Sequence, residues 1–353
     1  MDTTSQTDAP LLSWQEGKAG RIRLNRPKAL NALNAAMVGA IRTALDSWAE
    51  DDNVATVIID AAGDKAFCAG GDIRFMYDTG REDPAPGRKF WRDEYCVNLL
   101  ISRYPKPVVA LIDGITMGGG VGLAGHASHR VVTERAVVAM PETSIGFLPD
   151  VGGTYLLSRA PGKTGLYLGT TSSRMNAADA IYANFADAFI PSERLPTLCE
   201  RLADGADTDE AIAALSSSAP DGTLVQMRGE IDTTFDGATM LECLQNIERL
   251  AVSGDAWAIK TAAALRHNSP FSLAATFYAL RQAENHDLED CLKMEYRFSH
   301  RVLDHDDYYE GVRAVIVDKD RNPKWSPARL EDVDAAQVAS MFADLGEDEW
   351  RFS

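Results

Sequence analysis

Two acidic residues, Glu142 and Asp150, lie eight positions apart in a segment of apolar and turn-forming residues, 140–154 (MPETSIGFLPDVGGT). A carboxylate in apolar surroundings binds a proton more tightly than one in water, so it can serve as acid, base or nucleophile. The alternative is that each side chain caps a helix, since Asp150 directly precedes Val-Gly-Gly and would suit an N-cap position. The local pattern leaves both interpretations open.

Two glycine-rich segments offer a second kind of chemistry, 67–73 (FCAGGDI) and 117–122 (MGGGVG). Glycines let backbone N–H groups approach a ligand closely. Two such groups, one of them at the start of a helix, can stabilise the oxyanion that forms when a carbonyl is attacked. Neither segment matches a phosphate loop or a dinucleotide-binding fingerprint. Taken singly, a glycine run more often reflects tight packing than a binding site.

Other reactive residue types form no recognisable site. The five cysteines are scattered and contain no CxxC pair, which indicates a reducing compartment and neither a zinc site nor a disulfide framework. Cys68 lies within the first glycine segment, and His126 and His129 lie close to the second; we interpret all three as structural. We therefore expect no metal.

The elements that must position these segments alternate between strand and helix. Residues 19–24 alternate like a short strand, whereas 54–60 and 107–113 are rich in β-branched residues, as buried strands are. Apolar residues recur at helical spacing within 35–50: Met37, Ile41, Leu45 and Trp48. The first glycine segment follows a strand, and the second lies between a strand and a helix. This order predicts an α/β fold.

From about residue 176 onward almost every segment has helical periodicity. We expect a flexible N-terminus over 1–16, an α/β core that holds the site over 17–200, and a mainly α-helical C-terminal region over 201–353. Residues 78–88 (DTGREDPAPGR) have the composition of a loop, either a lid beside the site or a plain surface loop.

Composition limits the partners and the location. A net charge of -17 disfavours nucleic-acid binding, although a local basic cluster can still hold a few phosphates or form a solvated strand edge: Arg21, Arg23, Arg26 and Lys28. No apolar run reaches the roughly 18 residues of a membrane helix, so no membrane partner is expected. The N-terminus is acidic and polar and lacks signal- or transit-peptide features. We therefore expect a cytoplasmic protein.

Four segments together resemble the crotonase superfamily, also called the enoyl-CoA hydratase/isomerase family: LNRPKALNAL, AFCAGGDI, GITMGGGVGLAGH and MPETSIGFLPDVGGTYLLSR. Within it, the chain is most similar to the 3-hydroxyisobutyryl-CoA hydrolase branch. That likeness rests on FWRDEYCVN, LKMEYRFSHRVL, EGVRAVIVDKDRNPKW and LGEDEWRF, and it extends from about 17 to 352. The resemblance implies a crotonase-like spiral of repeated ββα units, and it leaves a homo-oligomer open.

The resemblance also implies roles for individual residues. The backbone N–H groups of Gly71 and Gly119 would form the oxyanion hole for a thioester. The family glutamate falls on Glu142 and the family aspartate on Asp150, both catalytic, and a further glutamate among the substrate contacts falls on Glu94. With Gly119, these three carboxylates form the expected substrate-binding set.

One position departs from the broader family. Hydratases of this family use two glutamates to hold and activate water, and the first of them follows the glycine triplet. That position here is Gly122. With one carboxylate missing, the addition of water to a double bond lacks a partner, so the resemblance favours a hydrolase.

The expected reaction is hydrolysis of a 3-hydroxyacyl-CoA, most closely 3-hydroxyisobutyryl-CoA of valine catabolism, to the hydroxy acid and CoA. Glu142 would act either as nucleophile through a mixed anhydride or as general base for water, and Asp150 would bind the 3-hydroxyl. The CoA phosphates would meet basic side chains: Arg26, Lys28 and Lys65. No cofactor is expected, because coenzyme A is part of the substrate. The alternatives are an enoyl-CoA hydratase/isomerase and a non-catalytic binding relative of the fold.

Overall fold

The computed structural model describes residues 9–352. The strands are β1 (Leu11–Glu16), β2 (Ala19–Leu24), β3 (Thr56–Ala61), β4 (Ala66–Cys68), β5 (Val108–Ile112), β6 (Ile115–Met117), β7 (His129–Val132), β8 (Val137–Ala139) and β9 (Ala188–Phe189). The α-helices are α1 (Ala35–Trp48), α2 (Ile73–Thr79), α3 (Ala85–Ser102), α4 (Gly119–Gly125), α5 (Gly153–Ser158), α6 (Thr164–Thr171), α7 (Ala177–Tyr182), α8 (Leu195–Ala203), α9 (Thr208–Leu215), α10 (Leu224–Thr234), α11 (Met240–Val252), α12 (Ala256–His267), α13 (Pro270–Ala283), α14 (Leu288–Val302), α15 (Asp306–Val312) and α16 (Ala335–Ser340).

The strands form two sheets, one ordered β1-β2-β3-β5-β7-β9 and a smaller one ordered β4-β6-β8. From β3 onward the chain repeats one pattern: a strand in the larger sheet, a strand in the smaller sheet, then one or more helices. The pairs β3–β4, β5–β6 and β7–β8 are three such repeats. The prediction of repeated ββα units is confirmed.

The larger sheet is parallel except for β1, which pairs antiparallel with β2. In β5 every residue is buried, and in β3 every residue but the last is buried. This burial explains why both strands read as continuous apolar runs rather than as alternating ones. On one face of the sheet, Ile58, Val109 and Val131 belong to a buried cluster with residues of α8 and α9.

Helix α1 matches its prediction closely. The Asn34 side chain caps it by accepting a hydrogen bond from the Met37 N–H at 3.0 Å. The four residues predicted to share its apolar face are all buried: Met37, Ile41, Leu45 and Trp48. Their spacing places them on one stripe of the helix, which is the stripe that packs inward.

The chain divides into two compact units that interleave along the sequence. The first comprises residues up to 71, 93–138 and 175–222, and the second comprises 72–92, 139–174 and 223–353. The first unit contains the larger sheet, and the second is mainly α-helical. Helix α3 crosses a boundary, because its first residues belong to the second unit and its residues from Asp93 belong to the first.

Two segments differ from their expected conformation. Residues 11–16, within the predicted flexible N-terminus, form β1, because they pair along their whole length with β2 from Leu11↔Leu24 onward. Within the predicted loop 78–88, helix α2 extends to Thr79 and α3 begins at Ala85, so only a short link is irregular. Between residues 9 and 352, no helix combines the length and apolarity needed to cross a membrane.

Candidate active site

The first glycine segment is fixed to the chain that precedes α1. The Leu33 N–H donates to the Gly70 carbonyl at 2.8 Å, and the Ala69 N–H donates to the Leu30 carbonyl at 3.0 Å. Leu33 also forms a parallel bridge with Gly71. Gly70 has a φ of 113°, a conformation that only glycine adopts readily. Gly71 is therefore held at a defined position just after β4.

The second glycine segment begins α4 and lies beside the first. Gly118 has a φ of 47°, and Gly119 is the first helical residue, where a backbone N–H has no partner within the helix. A Cβ at Gly119 would lie 3.5 Å from the carbonyl carbon of Gly70, so the two segments approach each other. A Cβ at Gly120 would lie 2.2 Å from the Cys68 carbonyl oxygen, which only glycine avoids.

Glu94 joins this group from α3. A Cβ at Gly119 would lie 2.4 Å from Glu94 Oε1, so the carboxyl group rests against the Gly119 α-carbon. The Glu94 side chain is buried, with 2% of the residue exposed. The first unit thus brings Gly119 and Glu94 close to the segment that carries Gly71. All three residues belong to the site predicted from the sequence.

The nearby sulfur and imidazole groups have structural surroundings. Burial raises the pKa of the Cys68 thiol to about 12, so the group is not a thiolate at neutral pH. His126 is buried. His129 bonds Ser128 Oγ at 2.9 Å and Asp209 at 3.1 Å. Ser128 Oγ also accepts the Val108 N–H at 2.8 Å and donates to the Val108 carbonyl at 3.1 Å, so these bonds attach the start of β7 to β5 and fit a structural role for His129.

Glu142 lies in the second unit, in a single turn of 3-10 helix, Glu142–Ile145. The residue is 5% exposed, and its Oε2 accepts no hydrogen bond within residues 9–352. Burial raises the pKa of Glu142 well above its usual range, and the negative charges of Asp150 and Glu295 raise it further. No side chain caps this turn, so the alternative of Glu142 as a helix cap is not supported.

The turn that bears Glu142 is anchored by its neighbour Thr143. The Ser269 N–H donates to the Thr143 carbonyl at 3.0 Å, and Asn268 Nδ2 donates to the Thr143 hydroxyl at 3.1 Å. Gly146 ends the turn with a φ of 74°, and a side chain there would lie 2.2 Å from the Asp307 carbonyl oxygen. These contacts fix the backbone that directly follows Glu142.

Asp150 is also buried and begins a turn into α5. The N-cap residue of α5 is Gly152, not Asp150, so the helix-cap alternative fails here too. Asp150 instead contributes its carbonyl oxygen, which accepts the Gly153 N–H at 2.6 Å. Both carboxylates chosen from the sequence therefore lie in the second unit and influence each other electrostatically.

Sequence reasoning missed a third buried carboxyl group in this unit, Glu295 of α14. It is completely buried and accepts hydrogen bonds from the Gly152 N–H at 2.7 Å and the Thr154 N–H at 2.9 Å. Burial raises its pKa to about 8, although the bonds from Thr154 and Gly152 oppose the rise. An available signal was the glutamate within the apolar face of α14, LKMEYRF.

Aromatic rings surround the backbone next to Glu142. The Phe147 N–H donates to the Glu142 carbonyl at 3.1 Å. The Phe147 ring stacks on Trp91 with centroids 5.4 Å apart and contacts Tyr308 at 5.9 Å and Phe298 at 5.7 Å. All four residues are buried. An aromatic cluster thus packs around Phe147, whose backbone is bonded to that of Glu142.

The basic cluster separates into two groups. Arg21 and Arg23 both bond Asp60, at 2.6 Å and 2.7 Å, so they form an ion-paired network across the sheet. Arg26 Nη1 donates to the Ala32 carbonyl at 2.6 Å. Lys28 and Lys65 are exposed. The segments that carry these two lysines approach each other, because a Cβ at Gly63 would lie 3.0 Å from Pro27 Cβ.

Comparison with known proteins gives a consistent family. The model of the enoyl-CoA hydratase/isomerase family matches residues 19–342. A curated protein of Xenopus tropicalis, 3-hydroxyisobutyryl-CoA hydrolase, mitochondrial, is 44% identical and covers 96% of this chain and 90% of its own. A crystal structure described as a carnitinyl-CoA dehydratase from Mycobacterium thermoresistibile is 40% identical with a TM-score of 0.93, covering 98% of this chain and 99% of its own. Another, described as an enoyl-CoA hydratase from Rhodobacter sphaeroides 2.4.1, is 44% identical with a TM-score of 0.92, covering 98% and 100%.

These comparisons correct one expectation. The Xenopus relative is named as a mitochondrial protein, which contradicts the expectation of a cytoplasmic one. That expectation rested on the acidic and polar composition of the first residues. Targeting is read from leader segments rather than from the folded core, so the residues that form the site carry no information about it.

Proposed function

This chain belongs to the enoyl-CoA hydratase/isomerase family, and we propose that it hydrolyses 3-hydroxyacyl-CoA thioesters, with 3-hydroxyisobutyryl-CoA as the preferred substrate. The observation that carries the proposal is the buried Glu142 carboxyl group, with its raised pKa and a buried oxygen that accepts no bond from residues 9–352. Position 122, where a hydratase carries its second glutamate, is a buried glycine. A glutamate at position 142 without one at position 122 suits attack on a carbonyl carbon better than addition of water to a double bond. The name of the Xenopus relative supports the same substrate.

In the proposed reaction, the thioester oxygen binds the backbone N–H groups of Gly71 and Gly119. These donors stabilise the negative charge that grows on the oxygen as the carbonyl carbon is attacked. One such donor typically contributes ~3 kcal/mol to the transition state. Glu94, whose carboxyl group rests against the Gly119 α-carbon, forms a substrate contact beside this oxygen.

Glu142 attacks the carbonyl carbon as a carboxylate in the first step. The C–S bond breaks, CoA leaves as a thiolate that takes up a proton, and a mixed anhydride remains on Glu142. Water then hydrolyses the anhydride and restores the carboxylate. In the second version of the mechanism, Glu142 instead removes a proton from water, which attacks the thioester directly. A burst of CoA that matches the number of active sites would distinguish the anhydride route when its hydrolysis is slow.

Asp150 accepts a hydrogen bond from the 3-hydroxyl group of the substrate. A buried carboxylate without this partner is penalised, so thioesters that lack the hydroxyl react more slowly. The CoA phosphates meet Arg26, Lys28 and Lys65. Neither a metal nor a further cofactor takes part in the proposed steps.

The decisive experiment measures release of free thiol from a panel of acyl-CoAs by wild type, Glu142→Gln and Asp150→Asn. We expect wild type to release thiol from 3-hydroxyacyl-CoAs, Glu142→Gln to be almost inactive, and Asp150→Asn to lose its preference for the hydroxylated substrates. Full activity of Glu142→Gln would refute the proposal.

A second function, that of an enoyl-CoA hydratase/isomerase, is favoured by the two similar crystal structures, one described as a dehydratase and the other as a hydratase. It predicts loss of the double-bond absorbance of crotonyl-CoA without release of thiol. The same panel therefore separates the two functions, because hydrolysis releases a thiol and hydration does not.

A further inference from the structure

The turn that carries Asp150 has an unusual backbone. Val151 and Gly152 adopt left-handed conformations in succession, with φ of 54° and 77°. Glycine tolerates this region, but a β-branched residue such as valine is strongly disfavoured there. Such a conformation persists only where the surrounding structure fixes it. The turn therefore needs an external support.

Glu295 provides contacts of the required kind. Its Oε2 accepts the Gly152 N–H at 2.7 Å, and its Oε1 accepts the Thr154 N–H at 2.9 Å as well as the Thr154 hydroxyl. Both oxygens of one carboxyl group thus bind amides on either side of Gly153. Thr154 is itself completely buried, so its bonds to Glu295 are shielded from solvent.

The location of Glu295 is otherwise hard to explain. It lies on the buried face of α14 among apolar neighbours, where a carboxyl group is unfavourable unless it is hydrogen-bonded. Its hydrogen bonds go to residues 152 and 154, and Asp150 acts on it electrostatically by raising its pKa. Glu295 is therefore linked to the Asp150 turn both by hydrogen bonds and by charge.

We propose that Glu295 is a positioning residue for the reaction: it holds the 150–154 turn so that Asp150 recognises the hydroxyl group of the substrate. This inference rests on the proposed function, because it assumes that Asp150 binds that hydroxyl. Glu295 itself touches neither the substrate nor the reacting atoms.

The test compares a 3-hydroxyacyl-CoA with the same thioester lacking the hydroxyl, for example 3-hydroxyisobutyryl-CoA and isobutyryl-CoA. In Glu295→Gln the side-chain shape is kept, but the amide NH2 must face either the Gly152 N–H or the Thr154 N–H. We expect kcat/KM for the hydroxylated substrate to fall by about tenfold or more, with an increase in KM. The value for the unhydroxylated thioester should stay within about twofold, so the preference for the hydroxyl shrinks.

A double variant tests whether Glu295 acts through Asp150. Once Asp150→Asn has removed the hydroxyl preference, adding Glu295→Gln should cause no further loss, because coupled residues are not additive. Independent action would instead multiply the two losses. Multiplied losses, or equal losses on both substrates, would overturn the inference.

Two further variants guard against a folding artefact. Glu289→Gln makes the same change on the same helix at a site paired with Lys293, and it should leave both substrates unaffected. Thr154→Val replaces the hydroxyl group that donates to Glu295 by a methyl group and should weaken the preference in the same direction to a smaller extent. If Glu295→Gln does not fold, the test is made on Thr154→Val instead. An unchanged preference of Thr154→Val for the hydroxylated substrate would then refute the inference.

The two proposals fail differently. A wild-type protein that releases no thiol from either substrate would refute the proposed function. A wild-type protein that prefers the hydroxylated substrate, together with a Glu295→Gln variant that keeps the same preference, would refute only the role of Glu295.

Discussion

Three buried carboxyl groups, those of Glu142, Asp150 and Glu295, influence one another within the second unit. Like charges in an apolar interior cannot all ionise without a large penalty, and the pKa values of Glu142 and Glu295 are both raised. Glu295 accepts three hydrogen bonds, from the backbone of 152 and 154 and from the Thr154 hydroxyl, whereas Glu142 Oε2 accepts none from the described part of the chain. Glu295 therefore suits a role in supporting the turn, and Glu142 suits a role in the reaction itself.

The raised pKa of Glu142 predicts a specific pH dependence of thiol release. Both versions of the mechanism need the ionised carboxylate, so kcat/KM should rise about tenfold per pH unit until the pH passes the Glu142 pKa. The midpoint should lie well above the ordinary value for glutamate, because burial raises it. A midpoint at the ordinary value would contradict this reading of the site.

The Asp150→Asn variant serves as the matched control for the pH dependence of kcat/KM. Removal of the Asp150 charge should move the midpoint to lower pH, since this charge raises the pKa of Glu142. The comparison is made on an unhydroxylated thioester, so that the loss of hydroxyl binding does not obscure the shift.

Gly119→Ala tests the proposed oxyanion hole. The new methyl group would lie 2.4 Å from Glu94 Oε1 and 3.2 Å from Leu33 Cδ1, so the Glu94 side chain must move. The end of a flexible side chain moves at modest cost, and we expect a small change in Tm. Alanine keeps the backbone N–H of residue 119, so the expected loss comes from the methyl group and the displaced Glu94 side chain, which misplace the thioester. We expect kcat/KM to fall about 10²-fold or more. Near-normal thiol release by a folded Gly119→Ala would argue against this role.

At the same scale, the sequence identified Glu142 and Asp150 from residue type and spacing but missed Glu295. Residue types and their spacing reveal a site only when its residues lie within one segment of the chain. The bonds from Gly152 and Thr154 to Glu295 instead join residues more than a hundred positions apart, so only the folded chain brings them together. The left-handed Val151 was equally hidden, because valine does not favour that conformation.

Among the elements, the glycines of α4 are needed for packing as well as for chemistry. A methyl group at Gly120 would lie 2.2 Å from the Cys68 carbonyl oxygen and 2.9 Å from Cys68 Cβ, so α4 and β4 would have to separate. We expect Gly120→Ala to lower the free energy of unfolding by about 1–3 kcal/mol, measured by denaturant titration.

Gly39 provides the matched control for that measurement. It lies inside α1, and apart from its chain neighbours and the backbone of that helix, no atom of residues 9–352 would lie within 4 Å of a Cβ there. Alanine favours helix over glycine by up to about 1 kcal/mol, so Gly39→Ala should be neutral or stabilising. Equal destabilisation by both variants would show that the effect does not come from contact with β4.

The helices and strands were predicted from the sequence more fully than the site residues or the two compact units. The buried strands and α1 were recognisable because β-branched runs and helical spacing are local signals. The link between α2 and α3 was predicted as a longer loop, because its Gly, Pro and Asp residues favour turns even where the chain is helical. The family resemblance, now confirmed, supplied the ββα repeat that local signals alone do not specify.

For the molecule as a whole, the sequence suggested consecutive parts, whereas the compact units interleave. Residues 139–174, which carry Glu142 and Asp150, belong to the same unit as the C-terminal helices. Even the end of the chain is built into this unit: Trp350 is fully buried, and its Nε1–H donates to the Arg92 carbonyl at 3.1 Å. The C-terminal helices thus support the carboxylates directly, as Glu295 of α14 illustrates.

This arrangement links the stability of the protein to pH. A carboxyl group whose pKa is raised in the folded state keeps its proton where the unfolded chain loses it. Between the unfolded value, near 4.5, and about 8 for Glu295, rising pH therefore favours unfolding, by about 1.4 kcal/mol per pH unit for one such group. Below that window both states are protonated, and above it both are ionised, so the contribution levels off.

Other ionisable groups titrate in the same protein, so the informative quantity is the difference in unfolding free energy between wild type and Glu295→Gln, which cannot ionise at this position. We expect wild type to lose stability relative to the variant as the pH rises through the window, measured by denaturant titration at successive pH values. A difference that stays constant across the window would mean that Glu295 ionises as readily in the folded protein as in the unfolded chain, which its burial should prevent.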